Sequence, residues 1–272
     1  MKRLWWAVLA LAGALMVLAG CAGAPAAGGA AAANGGSAKD YVTDFDEPEN
    51  RKRARIRLEL ASGYFEQGKA TVALDEVKQS LAADPNFAAA YNLRGLIFMQ
   101  LNEPKLAESS FQQALRLDDR DGDIWHNLGW MHCQATRYAE AAKAFDAALK
   151  VPNYRAAQRT WMALGVCQAR AGQSVEAERS LTRAFELDAG NPFVMFNLAS
   201  LLYQRGEYTK AQFYARRLNN SELANAESLW LGARIENKLN NREVARQLGE
   251  QLTRRFGQSR EADTYLRGAF NE

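Results

Sequence analysis

Asp123-Ile124-Trp125-His126-Asn127-Leu128-Gly129-Trp130 is followed, twelve residues after Gly129, by Ala141-Ala142-Lys143-Ala144-Phe145-Asp146-Ala147-Ala148. Small residues stand at 129, 141 and 148, and large ones at 125, 128 and 145. Two antiparallel helices that touch through the small positions, and fill the gaps between them with the large ones, give such a pattern. Upstream by 34 residues it recurs as Tyr91, Gly95, Ala107, Phe111 and Ala114, with Phe98 in the same unit. Downstream it recurs as Trp161, Leu164, Gly165, Ala177, Leu181 and Ala184, two residues out of register because of the turn Val151-Pro152-Asn153-Tyr154.

Working outward, Ala61, Tyr64, Gly68, Ala73, Val77 and Pro85 mark an earlier unit, and Leu198, Ala199, Gly206 and Ala211 a later one. Leu231, Gly232 and Ala245 mark a last unit if its first helix holds one extra residue. A period of 34 residues built of helix pairs is that of tetratricopeptide repeats. The expected fold is all-α, a right-handed superhelical array of about six tetratricopeptide repeats with a C-terminal closing helix. The units fall at about 54–87, 88–121, 122–157, 158–191, 192–224 and 225–258, within an array over 51–258, with a capping helix over 259–272. No single hairpin buries its own apolar face, so stability has to come from stacking. Asp46-Glu47-Pro48-Glu49 offers a cap and an acidic first turn for the opening helix, and Asp84-Pro85-Asn86 and Gly190-Asn191-Pro192 punctuate joins between units.

The segment before the array has a different character. Met1-Lys2-Arg3 is a short positive region, Leu4 to Val17 is apolar, and Leu18-Ala19-Gly20-Cys21 closes it. This has the shape of a secretory signal, too short for an ordinary transmembrane helix. Leu-Ala-Gly-Cys resembles the lipobox of bacterial lipoproteins, which implies a signal peptide over 1–20, cleavage before Cys21, and lipid attachment at Cys21. Several acyl chains would anchor firmly, since each buried methylene adds about 0.8 kcal/mol. Ala22 follows the cysteine where an aspartate commonly marks inner-membrane retention, so the expected address is the outer membrane, lipid-anchored and facing the periplasm. Residues 21–50, largely alanine and glycine up to Ala38, read as a flexible tether spanning roughly 30 Å.

Composition narrows the function. The 34 basic and 31 acidic residues fall to 32 against 31 once Lys2 and Arg3 leave with the signal, a balance that supports neither nucleic acid nor anionic lipid as the main partner. Gly63-Tyr64-Phe65-Glu66-Gln67-Gly68-Lys69-Ala70 nearly matches a phosphate-binding loop, yet Ala70 replaces the hydroxyl that should hold magnesium, and the stretch lies in a helix with no strand before it. The repeat itself explains both glycines. His126 and His132, the two histidines, are six residues apart on different faces of one helix, unlike a metal pair. No catalytic residues, metal site, cofactor or small-molecule substrate are expected. The basic run Arg51, Lys52, Arg53, Arg55 and Arg57 reads as a solvated helix face or a dock for an acidic partner. Cys133 and Cys167, 34 residues apart on the first helices of adjacent repeats, could form a disulfide or stay two separately buried thiols.

In tetratricopeptide arrays the first helices line a concave face through the second, fifth, ninth, twelfth and thirteenth residues of each unit. Here those offsets give a partner-binding groove of Leu58, Phe65, Leu96, Met99, Trp130, Met162, Phe196 and Tyr203. That is a large apolar content for a surface facing water, unless curvature or the closing helix covers part of it. Leu58 and Ser62 stand where chaperone-binding relatives carry the first residues of a carboxylate clamp. The partner then suits an amphipathic segment or a strand edge.

Beyond the repeat, Glu103-Pro104-Lys105-Leu106-Ala107, Ser228-Leu229-Trp230-Leu231-Gly232 with Arg234-Ile235, and Gln251-Leu252 with Phe256 resemble the type IV pilus biogenesis and stability lipoproteins, the PilF/PilW family. The resemblance covers nearly everything after Tyr41. It implies a pilotin, an outer-membrane lipoprotein that helps the type IV pilus secretin reach the membrane and multimerise, or else a stabiliser of the pilus fibre. A general periplasmic adaptor for envelope or peptidoglycan-enzyme assembly is the alternative.

Overall fold

The computed structural model describes residues 47–270, and among these every regular element is a helix. Twelve of the helices form six hairpins: α1 Glu49–Glu66 with α2 Ala70–Ala83, α3 Ala88–Gln100 with α4 Pro104–Leu117, α5 Gly122–Gln134 with α6 Tyr138–Lys150, α7 Ala157–Arg170 with α8 Ser174–Leu187, α9 Pro192–Gln204 with α10 Tyr208–Asn219, and α11 Ala226–Lys238 with α12 Arg242–Phe256. The closing helix α13, Arg260–Leu266, packs on α11 and α12. Each second helix touches the first helix of the next hairpin, and successive first helices touch one another. The six repeats and closing helix expected from the periodicity are therefore present.

Local chemistry sets the helix ends. Asp121 accepts from the amides of Asp123 and Ile124 to cap α5. Asn191 does the same for α9 from Phe193 and Val194, with Pro192 as the first helical residue. Asn225 and Ser228 exchange side-chain and backbone bonds in a capping box that starts α11. The opening helix differs from expectation: Pro48 stands at its N-cap with no side-chain bond, and Glu47 reaches forward to pair with Arg55. The helix begins at Glu49, inside the stretch read as tether.

The hairpin turns fix the register. Gly68, Asn102, Thr136, Gly172, Gly206 and Asn240 all have positive φ, at steps of 34, 34, 36, 34 and 34 residues. The single longer step contains the Val151–Tyr154 insertion. No extra residue enters the last repeat, which corrects the alignment of Gly232 with Gly165. Residue 232 instead continues the line of Leu128, Leu164 and Leu198, and Ala233 takes the small position.

In the middle repeats the small-against-large rule holds closely. A Cβ on Gly95 would lie 2.5 Å from the Phe111 ring, one on Gly129 2.8 Å from Phe145, and one on Gly165 2.6 Å from Leu181. The large partners are fully or almost fully buried. Burying such a phenylalanine against a glycine excludes water from the centre of each hairpin, the main source of its stability.

Candidate partner-binding site

The eight residues expected along the groove all lie on first helices, as the offsets require, and all are half-buried. Leu58 and Phe65 pack on the core of repeat one, Leu96 and Met99 on that of repeats two and three, Trp130 on the cluster around Cys133, Met162 on that of repeats four and five, and Phe196 and Tyr203 on the one around Leu202. Each therefore presents an edge to solvent while its body supports the stack. Two strongly exposed aromatics are not among the eight: Phe193, 67% exposed, stands at the second-residue offset of α9 and so on the same face, and Phe213, 57% exposed, lies on the second helix α10.

Arginines join this face. The Arg170 guanidinium lies 5.4 Å from the Trp130 ring, whereas that of Arg94, 4.6 Å from Tyr91, belongs to the side turned towards α4. Arg234 sits between two rings, 4.8 Å from Tyr203 and 5.8 Å from Trp230. Burial lowers the Arg94 pKa, with Tyr91 opposing. Its Nε donates to Ser110 at 3.1 Å, whereas the buried Nε of Arg234 has no hydrogen-bond partner. Trp230 and Arg234 occupy the positions of Phe196 and Ser200 one repeat later, and so belong to the same face. Sequence reasoning missed them because the assumed extra residue slid them out of the offsets. The turn asparagine Asn240, aligned with Gly206, carried the signal that would have found them.

Beneath the groove, repeats three and four are locked together. Cys133 and Cys167 are joined by a disulfide with Cα atoms 5.8 Å apart, inside the range such bridges take. Both are almost fully buried, in a cluster with Phe145 and Leu164. Nearby, the His126 ring Nδ1 is 2.8 Å from the Thr160 hydroxyl, which is 3.2 Å from the Tyr154 phenol, and that phenol donates to Asp123 at 3.0 Å. Tyr154 belongs to the inserted turn and lies flat over Gly122, where a Cβ would come within 2.5 Å of its ring. Burial, with Arg159 adding repulsion and Asp123 opposing, brings the His126 pKa down to about 4. Burial, with Arg137 adding repulsion and Glu108 and Glu140 opposing, lowers that of His132, whose Nδ1 is buried without a partner. No cluster of three or more metal-ligating side chains occurs among the described residues. The loop-like stretch Gly63–Ala70 runs out of α1 through the Gly68 turn into α2, with a helix on both sides. Cys21, the expected lipid attachment site, and the signal and most of the tether lie outside the described residues.

Comparison with known proteins agrees with this geometry. The tetratricopeptide repeat family matches residues 58–123 and 126–192. The type IV pilus assembly protein PilF of Pseudomonas aeruginosa is 28% identical over 199 residues, 73% of this chain and 79% of PilF. The crystal structure of PilW, described as a widely conserved type IV pilus biogenesis factor, aligns with a TM-score of 0.72 and 29% identity, covering 78% of this chain and 98% of PilW. A structure of Pseudomonas aeruginosa PilF aligns with a TM-score of 0.72 and 26% identity, covering 81% of this chain and all of that one. The chain is a PilF/PilW-like tetratricopeptide-repeat protein.

A tetratricopeptide array of this kind binds proteins through surfaces held rigid by stacking. The PilF/PilW-like array is covalently pinned at its centre, whereas at its C-terminal end the Trp230 ring is covered by Phe270 at 5.2 Å and Tyr265 at 6.3 Å from the closing region. The carboxylate of Glu236, only 1% exposed, accepts from Arg216 Nε at 2.7 Å, Gln212 at 2.8 Å and Asn241 at 2.7 Å. Burial works to raise its pKa, but those bonds hold it below the usual carboxylate range.

Proposed function

We propose that this protein is a non-enzymatic scaffold for type IV pilus biogenesis, anchored in the outer membrane by acylated Cys21 and facing the periplasm. Its proposed partner is the pilus secretin, whose membrane localisation and multimerisation it promotes. The observation that carries this reading is the end-to-end likeness to PilW, which leaves only 2% of that chain unmatched and so includes every repeat rather than a generic pair. A lipid anchor on a flexible tether would confine the repeats to a thin layer beside the membrane, raising their effective concentration towards a partner inserting there. The half-buried apolar edges of the first helices, with arginines stacked on their aromatics, suit an amphipathic segment laid along the groove.

Deleting the gene should convert secretin multimers to monomers in membrane fractions and abolish pili. Cys21→Ser, which removes the acylation thiol, should leave a folded array while secretin multimers decline. Unchanged multimers together with normal pili in the deletion strain would sink this reading. Leu96→Ala combined with Trp130→Ala should weaken secretin co-purification while circular dichroism stays helical. Loss of helicity in that variant would assign the two residues to the core and not to the groove.

A further inference from the structure

The join between repeats five and six breaks the packing rule at four positions at once. Ala215 stands where the second helices of repeats one to four carry Val77, Phe111, Phe145 and Leu181; the sixth carries Gly249, and there the Tyr265 ring lies where a Cβ would project. Asn219 stands where repeats one to four carry Leu81, Leu115, Leu149 and Phe185 and repeat six Thr253; Gly232 where the earlier repeats carry Leu60, Arg94, Leu128, Leu164 and Leu198; and Glu236 where they carry Tyr64, Phe98, His132, Gln168 and Leu202. Bulk is therefore missing from α10 and α11 at one place, and a cavity of about 300 Å³ occupies it. A side chain on Gly232 would collide with the Asn219 amide, so the glycine is what lets Asn219 reach inwards.

The polar groups of this cavity are unevenly satisfied. Asn219 is only 7% exposed, and its amide nitrogen donates to the Ser228 carbonyl at 2.9 Å, which fixes which way the amide points. Its Oδ1 is then a buried acceptor with no partner. An unmade bond of that kind costs about 1–3 kcal/mol, and a ligand that supplies a donor recovers it. Glu236 is already neutralised by Arg216 and holds three donors, so a second cation has nothing to balance. Ile235 and Leu248 give the walls an apolar character, while Arg216, whose side chain is half exposed, leaves its outer guanidinium edge beside the space.

We infer that this cavity is a socket for one aromatic side chain carrying an N–H or O–H donor, a tyrosine or tryptophan of a partner protein. The ring fills the volume that Phe111 and Phe145 fill in their own repeats, its donor meets Asn219 Oδ1, and Arg216 lies against it. Aromatic residues with one polar atom are favoured as anchors in such pockets, because they bury much area at small entropic cost. The site is on α10, α11 and α12, apart from the eight groove residues, and does not depend on which machine the array serves.

Methyl-labelled full-length protein in detergent micelles, titrated with N-acetyltyrosinamide, N-acetyltryptophanamide and N-acetylphenylalaninamide, tests it. The first two should shift the Ile235 and Leu248 methyls saturably, and the phenylalanine amide, lacking a donor, should bind at least ten-fold more weakly. Ala215→Phe fills the space with the residue of repeats two and three and should abolish the shifts. Asn219→Leu removes the acceptor and should bring tyrosine amide down to the affinity of phenylalanine amide, a second route should Ala215→Phe fail to fold. No saturable shift, equal binding of all three amides, or tighter binding of N-acetyllysine methylamide would overturn the assignment. Each of these outcomes concerns the cavity alone and leaves the pilus reading where it stands.

Discussion

Two joins of the same array treat equivalent positions in opposite ways. Between repeats three and four the volume is filled: Phe145, packed over Gly129 in its own hairpin, also borders Leu164 of the next, a disulfide ties α5 to α7, and His126 is packed edge-on against Phe145 with ring centres 5.7 Å apart. Between repeats five and six the phenylalanine has become Ala215, a leucine has become Gly232, and the space holds a buried carboxylate and an unpartnered amide oxygen. A repeat fold needs most of its joins to be of the first sort, because its stability is a sum of packing within each hairpin and stacking between neighbours. Once the centre is pinned, a join near the end can give up packing density for a polar cavity. The contrast separates residues that hold the array from residues free to recognise something.

The sharpest way to break that contrast is to make the closed join resemble the open one. Phe145→Ala installs at repeat three the residue that repeat five carries naturally at 215. Phe145 is fully buried, and truncating such a side chain should cost about 3–5 kcal/mol, read as a lower urea midpoint. A loss below 1 kcal/mol would mean the closed join tolerates emptiness and the distinction is false. Next in size is the disulfide, which closes a span of 34 residues and should stabilise by about 3–4 kcal/mol through restriction of the unfolded chain. Urea unfolding with and without reductant should show that difference. Equal midpoints would leave the centre no more firmly held than the end.

Acid should act on the closed join as well. His126 is neutral in the fold with a pKa of about 4, against about 6.5 when unfolded. Between those values the unfolded chain binds a proton that the native one refuses, so stability falls as pH drops from 6.5 towards 4, by roughly 3 kcal/mol in full. His132 is displaced in the same direction and adds to the slope. His126→Gln should flatten most of the decline in urea midpoint between pH 6.5 and 5; an unchanged slope would place the titration elsewhere.

Much of this was legible in the sequence, for identifiable reasons. Gly129, Ala141 and Phe145 are one hairpin's contacts, set by local spacing, so the repeat could be read directly. The cysteine pair is subtler. Cys133 and Cys167 differ by two positions in repeat register, about 200° around the helix at 3.6 residues per turn. Neighbouring parallel helices face each other through opposite sides, so that rotation turns the second sulfur towards the first. The offset that left the pairing open is what permits it. The cavity was not legible because it combines absences from two different helices. Seeing it needs the register of the last repeat, and the tempting match of Leu231-Gly232 to Leu164-Gly165 shifts that register by one. Only the positive φ of Asn240 aligns Gly232 with Leu198 and Glu236 with Leu202.

The smallest expected effect tests whether the open join is a weak core or a maintained polar site. Glu236→Gln keeps the shape and one acceptor oxygen but removes the charge that Arg216 answers, and turns the Oε2 end, which takes bonds from Gln212 and Asn241, into a competition between donors. Because the Arg216 side chain is half exposed, water can take over its unpaired charge, so the loss should be about 1–2 kcal/mol and not the larger cost of stranding a fully buried partner. The sign with pH follows from the depressed Glu236 pKa: its contribution is present above the unfolded carboxylate value and disappears as pH falls through the folded one. Wild type and variant should therefore differ at pH 7 and converge in strong acid. A Glu236→Gln protein more stable than wild type at pH 7 would show that the carboxylate costs the fold more than its three bonds return.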